Sequence, residues 1–238
     1  RELKGVGFSV AALRQAGFSA VECRAAGCTL RELKDGAFVV VELRQAGFSA
    51  AECRAAGFTV VELRQAGFSA VECRAAGCTL RELKDGAFVV VELRQAGFSA
   101  AECKAVGCTA RELKDGGFSA KELRQAGLSA ATFERIGCTA REMKDGGFPA
   151  MELWEFFAVA DLREVGFSAA ECRAAGITAR ELKQAGFSMG ELKEAGFSAT
   201  RLIKIGCTSE GVNSCGFSTT SVTDAGPAAF DAPDAAGG

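Results

Sequence analysis

Eleven cysteines, at 23, 28, 53, 73, 78, 103, 108, 138, 172, 207 and 215, are the residues of this 238-residue chain with the widest chemical repertoire. Thiols can ligate soft metals, pair as disulfides or act as nucleophiles. The nearest spacing is five, so there is no Cys-x-x-Cys, and the chain contains no His. The commonest metal ligand and general acid/base is therefore missing, and no metal site is expected. Ten of the eleven occupy slots that hold Leu or Phe in sister segments, and Cys215 occupies that slot in a degenerate one. The expected role is a buried thiol serving as a small hydrophobe. Cys78, Cys108 and Cys138 would fall in one column, but packed helices lie roughly 8–10 Å apart, beyond disulfide reach. Unpaired thiols in odd number favour a reducing compartment.

The Ser and Thr hydroxyls have no His to activate them. They stand three residues ahead of Glu, repeatedly: Ser19/Glu22, Thr29/Glu32, Ser49/Glu52, Ser69/Glu72, Thr109/Glu112, Ser168/Glu171. That is the capping box, in which each side chain satisfies the other residue's backbone N–H at a helix start. The caps Ser19, Glu22, Ser69 and Glu72, with Gly67 as a helix stop, are structural residues in this reading. No carboxylate pair departs from the repeat, and Ala-Gly-Phe and Asp-Gly-Gly lack a phosphate-loop pattern. No catalytic residue, cofactor or small-molecule substrate is expected. A net charge of −2 gives no reason to expect nucleic acid. No run approaches the roughly 18 apolar residues of a membrane span.

The elements that hold these residues come from a ten-residue repeat, seen cleanly at Ser19–Cys28 and extending to about residue 208. Residues 11–50 and 61–100 differ only at Ala11/Val61 and Ala12/Glu62, a duplicated 50-residue block. Taking the cap as position 0, Gly follows at position 7 or 8 and would end the helix in the left-handed conformation. The apolar residue at position 9 then closes one helix and staples the next. Positions 1, 4 and 7 (Ala20, Cys23, Ala26) form an apolar stripe. The pattern predicts an all-α solenoid of helices seven to eight residues long. Each is too short to be stable alone and becomes so by stacking.

Read in halves, the unit has an apolar residue every five positions and resembles the pentapeptide-repeat family, a right-handed β-helix. That alternative would aim Arg31, Arg81, Arg111, Lys121 and Arg141 into a narrow core. It also leaves the Gly-Phe-Ser/Glu-Leu-Arg asymmetry unexplained. The run Ala-Gly-Phe-Ser-Ala-x-Glu-Leu resembles tandem decapeptide-repeat proteins of unicellular eukaryotes. The resemblance covers residues 1–208 and implies a repeat solenoid, with no activity attached.

Arg-Glu-Leu-Lys-Asp-Gly recurs from Arg31, Arg81 and Arg111, and with Met143 in place of Leu from Arg141, and its 30-residue intervals point to three helices per coil. Arg and Lys at position 5 are expected to form solvated ion pairs between neighbouring units. The pattern fails at 149–165, where no Gly occurs before Gly166 and the register slips by one residue. One continuous helix is expected there, joining repeats 1–148 to repeats 166–208. Residues 209–238 read as a degenerate repeat followed by a disordered tail. The candidate interface residues are Trp154, Phe156 and Phe157 on the joining helix, and Val40 and Val90 within the two Val-Val-Val runs.

The uniformity of the repeat favours a non-catalytic scaffold or assembly module, of the kind that can build a filament, that self-associates or joins a larger complex. The second reading is a solenoid adaptor for a peptide or protein. An enzyme or a DNA-mimicking inhibitor is a third class, weakened by the missing His and the near-neutral charge.

Overall fold

The structure, a computed structural model, describes residues 8–217. Those residues form 21 helices and no strands, so the fold is an α-solenoid and the β-helix alternative is set aside. The chain divides into two compact units, 1–128 and 129–238.

Each repeat builds the same element. At Ser69 the backbone is extended, and its hydroxyl accepts the Glu72 N–H at 3.2 Å. Glu72 Oε2 in return accepts the Ser69 N–H at 2.7 Å. Six helical residues follow, Ala70–Ala75. The helices are shorter than the expected seven or eight residues because position 7 already leaves helical ψ, as at Ala76 (φ −75°, ψ 3°). Position 8 is then left-handed: Gly77 has φ 81° and its N–H donates to the Arg74 carbonyl at 2.9 Å. The Cys78 N–H donates to the Cys73 carbonyl at 3.0 Å, which completes a Schellman turn.

Positions 1, 4 and 9 make the core. Leu33, Leu43, Leu63 and Leu83 at position 4 are fully buried, and Phe38, Phe68 and Phe88 at position 9 are nearly so. Among the described residues no polar or charged residue is buried. The charges that a β-helix would bury therefore stay at the surface: Arg31, Arg81 and Arg111 at position 2 are exposed.

The coil is set by contacts between helices two repeats apart, such as Ala20–Ala25 with Val40–Gln45 and Ala70–Ala75 with Val90–Gln95. Side chains fix the pitch. Arg14 lies over the Phe38 ring, and Val10 packs against Gly36. Each of these pairs joins a residue to one about two and a half repeats further along the chain. A coil thus closes after about two and a half repeats, half a repeat tighter than the three-helix expectation. Consecutive coils are staggered by half a repeat, so the N-terminal end of one helix meets the C-terminal end of another.

Residues 149–165 are not one helix. They form Ala150–Leu153 and Val159–Glu164. The Leu153 carbonyl accepts from both Phe156 N–H (2.9 Å) and Phe157 N–H (3.1 Å). The turn closes one residue early, and no residue between 148 and 165 has positive φ. The missing Gly thus marks a tighter turn and the chain still breaks. The stacking contacts continue across it: Lys144 Nζ donates to the Val165 carbonyl at 2.9 Å and lies 4.7 Å from the Phe167 ring centroid. Those offsets are one residue shorter than in intact repeats, which absorbs the slip. Beyond residue 208 the chain is still helical over Ser209–Ser214. The tail from 218 lies outside the described residues.

Candidate interaction surface

The Ser and Thr side chains are committed to the backbone. Ser69 Oγ, besides accepting the Glu72 N–H, donates to Glu72 Oε2 at 2.8 Å, and the same set recurs at Ser19/Glu22 and Thr79/Glu82. The cap holds its carboxylates below the usual range. Glu82 is lowered to about 2, first by the Thr79 N–H and then by Arg54, whose Nη2 lies 2.9 Å from Oε1. The cysteines go the other way. Burial pushes Cys53, Cys103 and Cys172 up to about 11, so they are neutral thiols at physiological pH. All eleven are free, ten of them buried and Cys215 half-buried. No group of three or more candidate ligands among the described residues could hold a metal ion. No helix there is long and apolar enough to cross a membrane.

The position-5 cations do more than form solvated ion pairs between neighbouring repeats. Many of them, Arg24, Lys34, Arg44, Arg74 and Arg173 among them, reach two repeats along the chain. Arg173 Nη1 donates to the Ala195 carbonyl at 2.7 Å, and its guanidinium stands 4.8 Å from the Phe197 ring centroid. Arg44 treats Ala66 and Phe68 alike. The cation thus meets the negative end of a helix dipole, an unsatisfied carbonyl and an aromatic face together. The ion pairs that do form span three repeats: Arg54–Glu82 at 2.9 Å and Arg64–Glu92 at 3.7 Å. The signal is present in the sequence as a position-5 cation followed, two repeats on, by a position-9 Phe. It is invisible unless the coil length is known.

The candidate interface residues separate. Val40 and Val90 are mostly buried, at 4% and 8% exposure, and Val90 reaches the surface only where it lines a cavity. They occupy position 1, which faces the core. Their neighbours are the exposed ones: Val39 54%, Val41 41%, Val89 55% and Val91 44%. Val39 and Val89 stand where sister repeats have Ser or Thr. They keep only half of the capping box, the Val39 N–H to Glu42 Oε2 at 2.8 Å and its counterpart at Val89. They follow Ala37 and Ala87, non-glycine residues held at φ 63°. Trp154 is exposed and occupies the position-5 slot of a cation, while Phe156 and Phe157 are half-buried.

With about two and a half repeats per coil, one repeat advances about two fifths of a turn. Residues five repeats apart stand on the same side, two coils on. The exposed position-2 valines of the first compact unit then fall on three adjacent stations: Val21 and Val71, Val41 and Val91, and Val61. Ala51, Ala101, Arg31 and Arg81 take the other two, while further along the unit Arg111 falls on the station of Val61 and Lys121 on that of Val21 and Val71. Over residues 21–101 an apolar side and a small or charged side result. A cavity of about 400 Å³ opens beside Val89 and Val91, lined also by Lys84, Phe88, Cys108, Glu112 and Asp115.

These features define an α-solenoid of capped ten-residue helical repeats. The decapeptide repeat region family matches residues 1–70, 47–118, 97–163 and 155–219, and the chain belongs to that family. No curated protein and no solved structure matches the chain.

Proposed function

We propose that this repeat protein is a non-catalytic scaffold that associates with further copies of itself through the valine side of its first compact unit. The observation that carries this reading is the gathering of Val21, Val41, Val61, Val71 and Val91 on one side over residues 21–101, with Val39 and Val89 beside them, where the other sides carry Ala or Arg. The capping hydroxyls and carboxylates are spent on holding helix starts, which favours architecture over chemistry. Seven valines about half exposed offer on the order of 500 Å2, the size of the largest apolar patch on many monomers and below the roughly 800 Å2 per partner of a standard interface. The reading is therefore of weak lateral contacts repeated along the solenoid. Residues 149–165, with Trp154, join the repeats of 1–148 to those of 166–208 in the same proposal and add a second contact. Sedimentation of the purified chain tests it. Concentration-dependent oligomers are expected, and Val41→Lys with Val91→Lys should return the chain to monomer. A monomer at all concentrations would favour the second reading, an adaptor that takes a peptide or protein in the cavity beside Val89 and Val91.

A further inference from the structure

Three repeats carry Cys at both position 4 and position 9: Cys23/Cys28, Cys73/Cys78 and Cys103/Cys108. The Schellman turn brings each pair together. The Cys108 N–H donates to the Cys103 carbonyl at 3.0 Å, which holds the two Cα atoms at a separation that a disulfide spans. The side chains are also close enough to influence each other's ionisation, Cys103 with Cys108 and Cys73 with Cys78.

The position-9 sulfur of such a pair lies where sister repeats put a Phe ring beneath a cation. Arg54 Nη1 is 3.1 Å from Cys78 Sγ. Lys84 Nζ donates to the Val106 carbonyl at 2.9 Å, in the turn that ends at Cys108, and its charge favours the Cys108 thiolate. The Cys108 thiol stands above its ordinary value: burial raises it most and Glu112 adds to the rise, while Lys84 and Cys103 reduce it. A cation beside a thiol with a second thiol close by is the arrangement of an attacking and a resolving cysteine. Access separates the two thiols of the pair. Cys108 lines the 400 Å³ cavity together with Lys84 and Glu112, whereas Cys103 is fully buried.

We propose that Cys103 and Cys108 form a redox-active dithiol that a peroxide closes to a disulfide within one turn, with Cys108 attacking and Cys103 resolving. The Cys108 thiolate attacks one peroxide oxygen, the O–O bond breaks, and the sulfur becomes a sulfenic acid as the first water leaves. Cys103 then attacks that sulfur, the S–S bond forms, and the sulfenic oxygen leaves as the second water. Two thiols lose two electrons to one hydrogen peroxide, and the product is one disulfide. Cys73/Cys78 with Arg54 is a second copy of the same device.

Trypsin reads this directly, because Lys104 lies between the two cysteines. The folded full chain is treated with hydrogen peroxide, alkylated under denaturing conditions and digested. Peptides 95–104 and 105–111 should be recovered joined and two hydrogens lighter than their sum. The Cys53 peptide should be recovered alkylated, since Phe58 takes the place of a second cysteine in that repeat. In Cys103→Ala, dimedone should trap a sulfenic acid on Cys108. Lys84→Gln should slow closure several-fold, and Lys84→Arg should restore it, with helical circular dichroism unchanged in both. Separate 95–104 and 105–111 peptides after oxidation, or Cys108 joined to a cysteine of another coil, would overturn the proposal. A closure rate unchanged in folded Lys84→Gln would overturn the role given to the cation.

Discussion

A methyl group placed on Gly86 would lie 2.7 Å from Cγ1 of Val60, more than two repeats earlier in the chain. Gly86 has φ −73°, where any residue fits, so its lack of a side chain serves the approach of Val60 rather than the turn. The left-handed position of that turn is taken by Ala87 instead. Gly36 and Gly116 face Val10 and Val90 in the same way. Gly86→Ala should therefore cost about 1 kcal/mol, the low end of overpacking, because Val40 and Ala66 are accommodated at the equivalent places. Val60→Ala added to Gly86→Ala should recover part of that loss. Urea unfolding of the two single variants and the double variant gives the coupling. A simple sum of the single losses would mean that the contact carries no strain.

Gly67 and Ser69 separate the two ends of one linker. Ser69→Ala removes the acceptor for the Glu72 N–H and should cost about 1 kcal/mol. Gly67→Val should cost more. Its φ is 84°, and an added Cβ would stand 2.5 Å from Arg44 Nη1, the group that donates to the Ala66 carbonyl. Equal midpoints for wild type and both variants would remove the capping argument.

The caps and turns are legible in the sequence because every bond in them joins residues three to five apart. Ser69, Glu72 and Gly77 can be placed with one repeat in view. The coil cannot be read that way. It depends on Arg173 finding Ala195 and Phe197, and on Val60 finding Gly86, all two repeats or more away. The valine runs stand out in the sequence as unusual. Which valine faces outward depends on position 1 pointing to the core, and that puts Val40 and Val90 inside. The register slip at 149–165 is visible too. Its consequence is not, because an absent Gly is equally compatible with a longer helix and with a turn that needs no left-handed residue.

Acid should loosen the solenoid. Glu82 titrates at about 2 when folded, held down by the Thr79 N–H and by Arg54, against an ordinary value of 4.5. A carboxylate with a lowered folded pKa adds stability that is complete above the unfolded value and is lost as pH falls through the folded one. Glu62, Glu72, Glu112 and Glu171 are lowered in the same direction by their caps. The urea midpoint should be flat above about pH 5 and fall steadily from there toward pH 2. Glu82→Gln should shrink the fall. A midpoint that rises on acidification would contradict the capping-box electrostatics.

Arg173→Met keeps a long apolar stem and removes the charge that meets Ala195 and Phe197. It should cost about 1 kcal/mol, the sum of a modest hydrogen bond and a partly exposed cation–π contact. Arg173→Lys should recover most of it, since Lys34 performs the same task at Ala56 and Phe58. Stability equal to wild type in Arg173→Met would reduce the ladder of cations to surface decoration.

Trp154 takes the place of such a cation. Elsewhere a position-5 cation is held by a carbonyl and often a ring two repeats on, but at this slot the position-9 residue two repeats on is Ile177, so the ring is missing as well as the cation. It is 43% exposed, in the one described repeat that ends without a left-handed residue. An exposed Trp with one polar N–H suits a contact between proteins. Trp154→Ser should weaken self-association, read by sedimentation, more than it lowers the urea midpoint of the monomer. Trp154→Arg would supply the cation with a carbonyl but no ring to meet it, since Ile177 stands there, and should leave stability near wild type while still impairing association. If Trp154→Ser lowers stability without moving the association constant, the side chain serves only to cover its own turn, and the second contact assigned to 149–165 falls.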